Sequence, residues 1–148
     1  MDQTTIIRIV SGLLFLCVIA VGIAYIAFLY SVLNKCAPRS RTMQPGMVWL
    51  LLIPLFNVVW NFLVVNALAD SLGKEFRLRG VPVDDPKPGK SLGLAMAICS
   101  ACGIIPIVNL LAIIPQFILW VMYWVKIAGY SRMLDQVPTA IGAPANLL

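Results

Sequence analysis

The chain has 148 residues, 61% of them apolar and 11% charged, with a formal net charge of +5 and no histidine. A water-soluble domain carries roughly half apolar and a quarter charged residues, so this composition excludes an ordinary soluble domain and points to lipid. The missing histidine removes the commonest general base, metal ligand and haem ligand, and the loop-borne basic residues suit anionic headgroups rather than nucleic acid.

The first apolar block, Ile6–Leu33, is too long for a signal peptide and is followed by no cleavage-like site, so it is expected as a transmembrane helix over 6–33. Ala20, Ala24, Ala27 and Ser31 recur at helical spacing along it, a strip of small side chains that lets a second backbone approach closely. Asn34–Gly46, with two prolines and three basic residues, reads as a loop. Met47–Leu68, MVWLLLIPLFNVVWNFLVVNAL, is apolar apart from three asparagines and long enough for a full crossing. Leu68, Leu72 and Phe76 keep a spacing of four beyond it, which extends the expected second helix to 47–79 as an amphipathic stem.

Gly80–Lys90 holds three prolines and reads as an exposed linker, in which Asp84 and Asp85 lack further metal ligands. The region Ser91–Val125 is too long for one crossing and must fold back on itself. A turn at Pro106–Asn109 gives a third helix over 91–105 and a fourth over 110–131. In the third, Gly89, Gly93, Ala97 and Ala101 form another small-residue strip. In the fourth, Trp120 and Trp124, with Lys126 and Arg132 nearby, are the pattern of a helix end anchored at headgroup level. Residues 134–148 carry two prolines and no apolar period, so a flexible tail is expected there.

The sequence Ile53-Pro54-Leu55-Phe56-Asn57 is echoed by Ile105-Pro106-Ile107-Val108-Asn109. Each copy of this I-P-x-x-N element fits a break in a helix, because proline frees a carbonyl and an asparagine amide can satisfy backbone groups. Two topologies follow. Four full spans with both termini cytoplasmic place eight basic residues inside and three outside. A re-entrant hairpin turning at Pro54–Asn57, with the N-terminus outside, leaves only Arg8 out, a split of ten to one. Four full spans are the expectation adopted, because a block of 22 residues suits a crossing.

Chemistry-bearing residues are few. Cys99 and Cys102 form a C-x-x-C, which on a helix places both sulfurs on one face, as in small membrane thiol oxidoreductases. Those enzymes need a second cysteine pair, whereas here Cys36 and Cys17 stand apart; the alternative is that Cys99 and Cys102 are buried and serve as small apolar residues. As a metal site the pair lacks a third and fourth ligand, so no metal and no cofactor are expected. Asn57 and Asn61 share a helix face and, with Asn109, can line a solute path or bond a neighbouring helix. No carboxylate lies within an apolar block, which argues against an ion-coupled pump.

The phrases from Arg41 to Asn57, from Ala69 to Phe76 and from Tyr123 to Ser131 resemble a family of uncharacterised small bacterial membrane proteins. The resemblance implies a bacterial inner-membrane protein with several helices, and it carries no reaction or ligand. Taken together, residues 1–133 are expected as one all-α polytopic membrane domain of four hydrophobic helices. Its expected role is non-enzymatic, as a scaffold, accessory subunit or self-associating component whose partners are the bilayer and another membrane protein or a second copy. A small channel or transporter using the Asn57/Asn61 face is the first alternative, and a thiol oxidoreductase using Cys99/Cys102 the second.

Overall fold

A computed structural model describes residues 2–103 and 105–137, with only the backbone of Pro54, Leu55, Ile107 and Asn109. The described residues are all-α and hold no strand: helix α1 is Gln3–Lys35, a 3-10 segment is Pro45–Leu52, and α2, α3 and α4 are Pro54–Leu78, Lys90–Cys102 and Pro106–Gln136. Two stretches, Gln3–Lys35 and Leu110–Gln136, are long and apolar enough to cross a membrane. Neither is the core helix of a soluble fold, because both are mostly exposed. Residues 2–21 are exposed throughout, and only the later part of α1 is packed, through Tyr25, Ile26, Leu29, Val32 and Leu33.

The single helix expected over 47–79 is not formed. The chain instead runs through the 3-10 segment, breaks at Ile53 in extended backbone (φ −83°, ψ 110°) and restarts at Pro54 as α2. Proline excludes the preceding residue from the helical region, and at the first helical position its missing N–H costs nothing. The break is a reversal: Trp60 Nε1 donates to Met47 O at 2.8 Å, and farther from the turn the Thr42 hydroxyl donates to Ala67 O at 2.7 Å. The two arms of Met47–Leu68 therefore lie side by side as a hairpin.

The second I-P-x-x-N copy has the same local conformation. Ile105 is extended (φ −84°, ψ 117°), Pro106 begins α4, and α3 ends at Cys102 rather than 105. Pro106–Asn109, expected as the turn itself, is thus the first turn of α4. That helix then passes over an internal proline, Pro115, and continues to Gln136, past the expected end at 131. The expected flexible tail lies outside the described residues from 138 onward.

α3 packs antiparallel between α2 and α4. A Cβ on Gly93 would collide with Val65 Cγ1 of α2 and stand 2.7 Å from Tyr123 Cε2 of α4, so only glycine permits this approach. Ala97 is fully buried beside it, and a Cβ on Gly89 would sit 3.1 Å from Ile127 Cδ1. The small-residue strip of the third helix is therefore used within the chain. The Gly80–Lys90 connection is also held against the bundle: Gly80 takes φ +67° to close α2, with Val81 N donating to Phe76 O at 3.0 Å, and Val81 and Val83 pack on the core.

α1, α2 and α4 run the same way, so the C-terminal ends of all three meet at one end of the bundle. Lys35 Nζ donates to Ser131 Oγ at 2.8 Å and pairs with Asp135 at 2.7 Å, while Arg79 reaches Leu134 O. Gly93→Leu should destabilise the bundle by about 1–3 kcal/mol by overpacking the α2–α3–α4 contact. The check is thermal unfolding in detergent, with Gly12→Leu, where nothing lies within 4 Å of an added Cβ, leaving the transition unchanged.

Candidate functional site

The hairpin turn at Ile53 is placed against the middle of α1, and the space left between them is a cavity of about 350 Å³. Ile19, Gly22, Tyr25 and Ile26 of α1, Leu51 and Leu52 of the 3-10 segment, Asn57 and Asn61 of α2, Met96 and Ser100 of α3, and Trp120 of α4 line it. Its wall is mostly apolar with five hydrogen-bonding side chains, those of Tyr25, Asn57, Asn61, Ser100 and Trp120, and among the described residues no side chain charged at neutral pH. Asn57 and Asn61 share this wall because one helical turn separates them. Asn66, on another face, donates to Phe62 O of its own helix at 2.8 Å. The side chain of Asn109 lies outside the described residues.

Tyr25 is 8% exposed, and its hydroxyl has no hydrogen-bond partner among the described residues. A buried hydroxyl without a partner carries a desolvation cost. The ring is fixed by Trp120 and Trp124, at centroid distances of 5.3 Å and 5.6 Å, and Trp124 also meets Phe28 at 6.0 Å. Trp120 and Trp124 thus pack against α1, where they form part of the α1–α4 contact. Lys126 is half-buried and Arg132 exposed, both in the later part of α4.

A second cavity of about 440 Å³ shares Ser100 and Trp120 with the first and adds Cys99, Gly103, Ala112, Ile113, Gln116 and Phe117. Gln116 Nε2 donates to Ser100 Oγ at 2.9 Å, leaving the buried Gln116 Oε1 without a described partner. Cys99 and Cys102 are free thiols, Cys99 half-buried and Cys102 exposed, with no second cysteine pair beside them. Cys36 is buried, and burial followed by the nearby Glu75 charge pushes its thiol up to about 12, which makes it a poor exchange partner. Cys17 is on the exposed part of α1. Among the described residues no three metal-ligating side chains cluster.

The charged end is organised by a buried ion pair. Arg79 pairs with Glu75 at 2.8 Å while its other N–H groups donate to Leu134 O at 2.6 Å, Val137 O at 2.5 Å and Lys35 O at 3.1 Å. One guanidinium thus satisfies carbonyls at the ends of α1 and α4, where unpaired C=O groups and the helix dipole favour a cation. Glu75, fully buried, accepts from Ala37 N at 2.9 Å. Burial raises its pKa, yet the Ser40 hydroxyl beside it, the Ala37 N–H and Arg79 together outweigh that and hold it below the ordinary glutamate value. The Ser40 hydroxyl stands at a geometry short of a well-formed hydrogen bond and still favours the charged form. Composition gave no hint of this pair, although its i, i+4 spacing on the stem is a recognisable signal. Nothing in the sequence singles out Tyr25 or Ser100 as cavity residues.

The described residues define an all-helical fold with two helices of membrane-spanning length and, at a broken-helix hairpin, a mostly apolar cavity that carries hydrogen-bonding side chains. No family model, characterised protein or solved structure matches the chain. Glu75→Gln, which leaves Arg79 buried without a counter-charge, should cost about 3 kcal/mol. Because the carboxyl pKa is lower in the folded chain than in the unfolded one, its contribution is present above the unfolded value of about 4.3 and is lost as pH falls through the folded value. Thermal unfolding in detergent should show this acid loss in the native chain and a flatter acid limb in Glu75→Gln.

Proposed function

We propose that this is a multi-pass membrane protein of the bacterial inner membrane that acts by binding within the bilayer rather than by catalysis. Its α1 crosses once, the 45–78 hairpin enters and leaves on one side, and α3, at 13 residues too short for a crossing, enters from that same side before α4 returns the chain to it. Ten of the eleven basic residues then lie on the side where α1 and α4 end, Arg8 being the other. The positive-inside bias makes that side cytoplasmic, with the N-terminus outside and the C-terminus inside, in place of two cytoplasmic termini. The family resemblance of the Arg41–Asn57 and Tyr123–Ser131 phrases supports the bacterial setting.

Within this frame the chain is a scaffold or accessory subunit. The observation that carries this reading is the small-residue face of α1: Ala20, Ala24, Ala27 and Ser31 share one side of the helix and are all exposed. In lipid, association rests on close backbone approach rather than on hydrophobic burial, and such a face supplies it. The α3 strip is occupied inside the bundle and contributes nothing to assembly. A transporter or channel is the second reading, favoured by the placement of Asn57 and Asn61 together on a cavity.

Single cysteines placed at 42–46 and at 80–86 should both react with a membrane-impermeant thiol reagent only from the cytoplasmic side. Labelling of the two loops from opposite sides would return the 47–68 block to a full crossing. For the assembly role, crosslinking in native membranes should yield a stoichiometric adduct that Ala24→Leu with Ala27→Leu abolishes without moving the unfolding transition. An adduct that survives the double substitution would sink the α1 interface.

A further inference from the structure

We propose that the cavity beneath the Ile53 turn is a binding site for the hydroxyl- or carbonyl-bearing end of an uncharged lipid. The proposal rests on the membrane reading above and adds a ligand class to it. Its first support is the chemistry of the wall: the Ser100 hydroxyl and the Asn57 and Asn61 amides offer donors and acceptors, and among the described lining residues no side chain charged at neutral pH is present to neutralise a charged headgroup. A charged group brought there would carry a large desolvation penalty, whereas a neutral hydroxyl or carbonyl needs only hydrogen bonds.

The second support is Tyr25, which lines this space and whose buried hydroxyl is left without a partner among the described residues. The amides of Asn57 and Asn61 also form no hydrogen bond with another described residue. Side chains of two helices, Tyr25, Asn57 and Asn61, thus line one space, and none of their polar groups has a described partner. The helix-packing alternative for the asparagines predicts bonds between them and a neighbouring helix, and those are not formed among the described residues.

The third support is the way in. Ile19 and Leu52 of the lining are 40% and 52% exposed, so the cavity opens at the apolar surface beside α1. A ligand entering there arrives from lipid. The Trp120 ring, Met96 and Leu51 provide the apolar contact that such a molecule's chain or ring requires. A volume of about 350 Å³ holds a polar end and the first part of a chain, with the remainder lying along α1.

The test uses the full chain in phosphatidylcholine vesicles carrying a diazirine-labelled diacylglycerol, with mass-spectrometric mapping of the photo-adduct. The expected adduct falls on the segments holding Tyr25, Asn57–Asn61 or Trp120, and excess unlabelled diacylglycerol competes it away. Tyr25→Phe removes only a hydroxyl that bonds nothing, so the unfolding transition should hold while labelling weakens by about fivefold, the effect of one hydrogen bond. Asn61→Leu should abolish labelling. Label elsewhere, unchanged labelling in Tyr25→Phe, or a lowered unfolding temperature in that variant would each overturn the site. Equal competition by phosphatidic acid would overturn the uncharged class, and equal competition by glycerol would overturn the lipid source. Vesicle flotation separates the two readings: a chain that does not float defeats the membrane reading, while a floating chain labelled elsewhere defeats only the site.

Discussion

Arg79 is the point on which the architecture converges. Parallel helices that end together present unpaired carbonyls and three negative dipole ends at one place, an arrangement that is unfavourable unless a cation is supplied. The guanidinium does this for α1 and α4 through Lys35, Leu134 and Val137, and α2 carries it there. A buried guanidinium in turn requires a buried carboxylate, which Glu75 supplies while also accepting from Ala37 at the start of the following loop. Lysine would not substitute, because a single ammonium lacks the planar fork that reaches several acceptors. The loop after α1 and the hairpin that follows it are therefore held by the same group that closes the helix ends.

The opposite demand arises at Ile53 and Ile105. A break in a helix within apolar surroundings exposes backbone polar groups, and such breaks are tolerated only where protein or a polar cavity receives them. At the first break residues of α1, α3 and α4 line the space beside the turn, and Asn57, Asn61 and Ser100 bring hydrogen-bonding groups into its mostly apolar wall. On the membrane reading, the hairpin and the cavity are one feature: the turn creates the space, and the polar side chains make the turn tolerable. The same interruption of a helix creates hydrogen-bonding capacity deep in the bundle, where a binding role can use it.

The internal echo was the most informative signal in the chain, and its value lay in backbone chemistry. Pro54 and Pro106 stand at first helical positions, with isoleucines of nearly identical dihedral angles before them. The echo named both breaks correctly, while length alone favoured a continuous helix through the first. Length misled because 22 apolar residues fit a full crossing and a hairpin of two short arms equally well. Charge was the better guide, since the ten-to-one split of basic residues describes the end on which the loops actually gather.

Composition and block length by themselves determined a helical, lipid-suited chain without histidine-based chemistry, and the prolines marked where its helices could break without deciding whether they do. Periodicity also located the small-residue strips, but it could not assign them, because a face that fits a helix of the same chain looks like one that fits another molecule. Only the tertiary structure placed Gly93 against Val65 and Tyr123 and left Ala24 and Ala27 uncovered. It alone turned Trp120 and Trp124 inward, joined Arg79 to three helix ends and brought Tyr25 to the asparagine face of α2. Each of these depends on which helix lies beside which, a matter of long-range packing. Local sequence sets where a helix starts and stops; the neighbours it meets are set by the shape of the whole bundle.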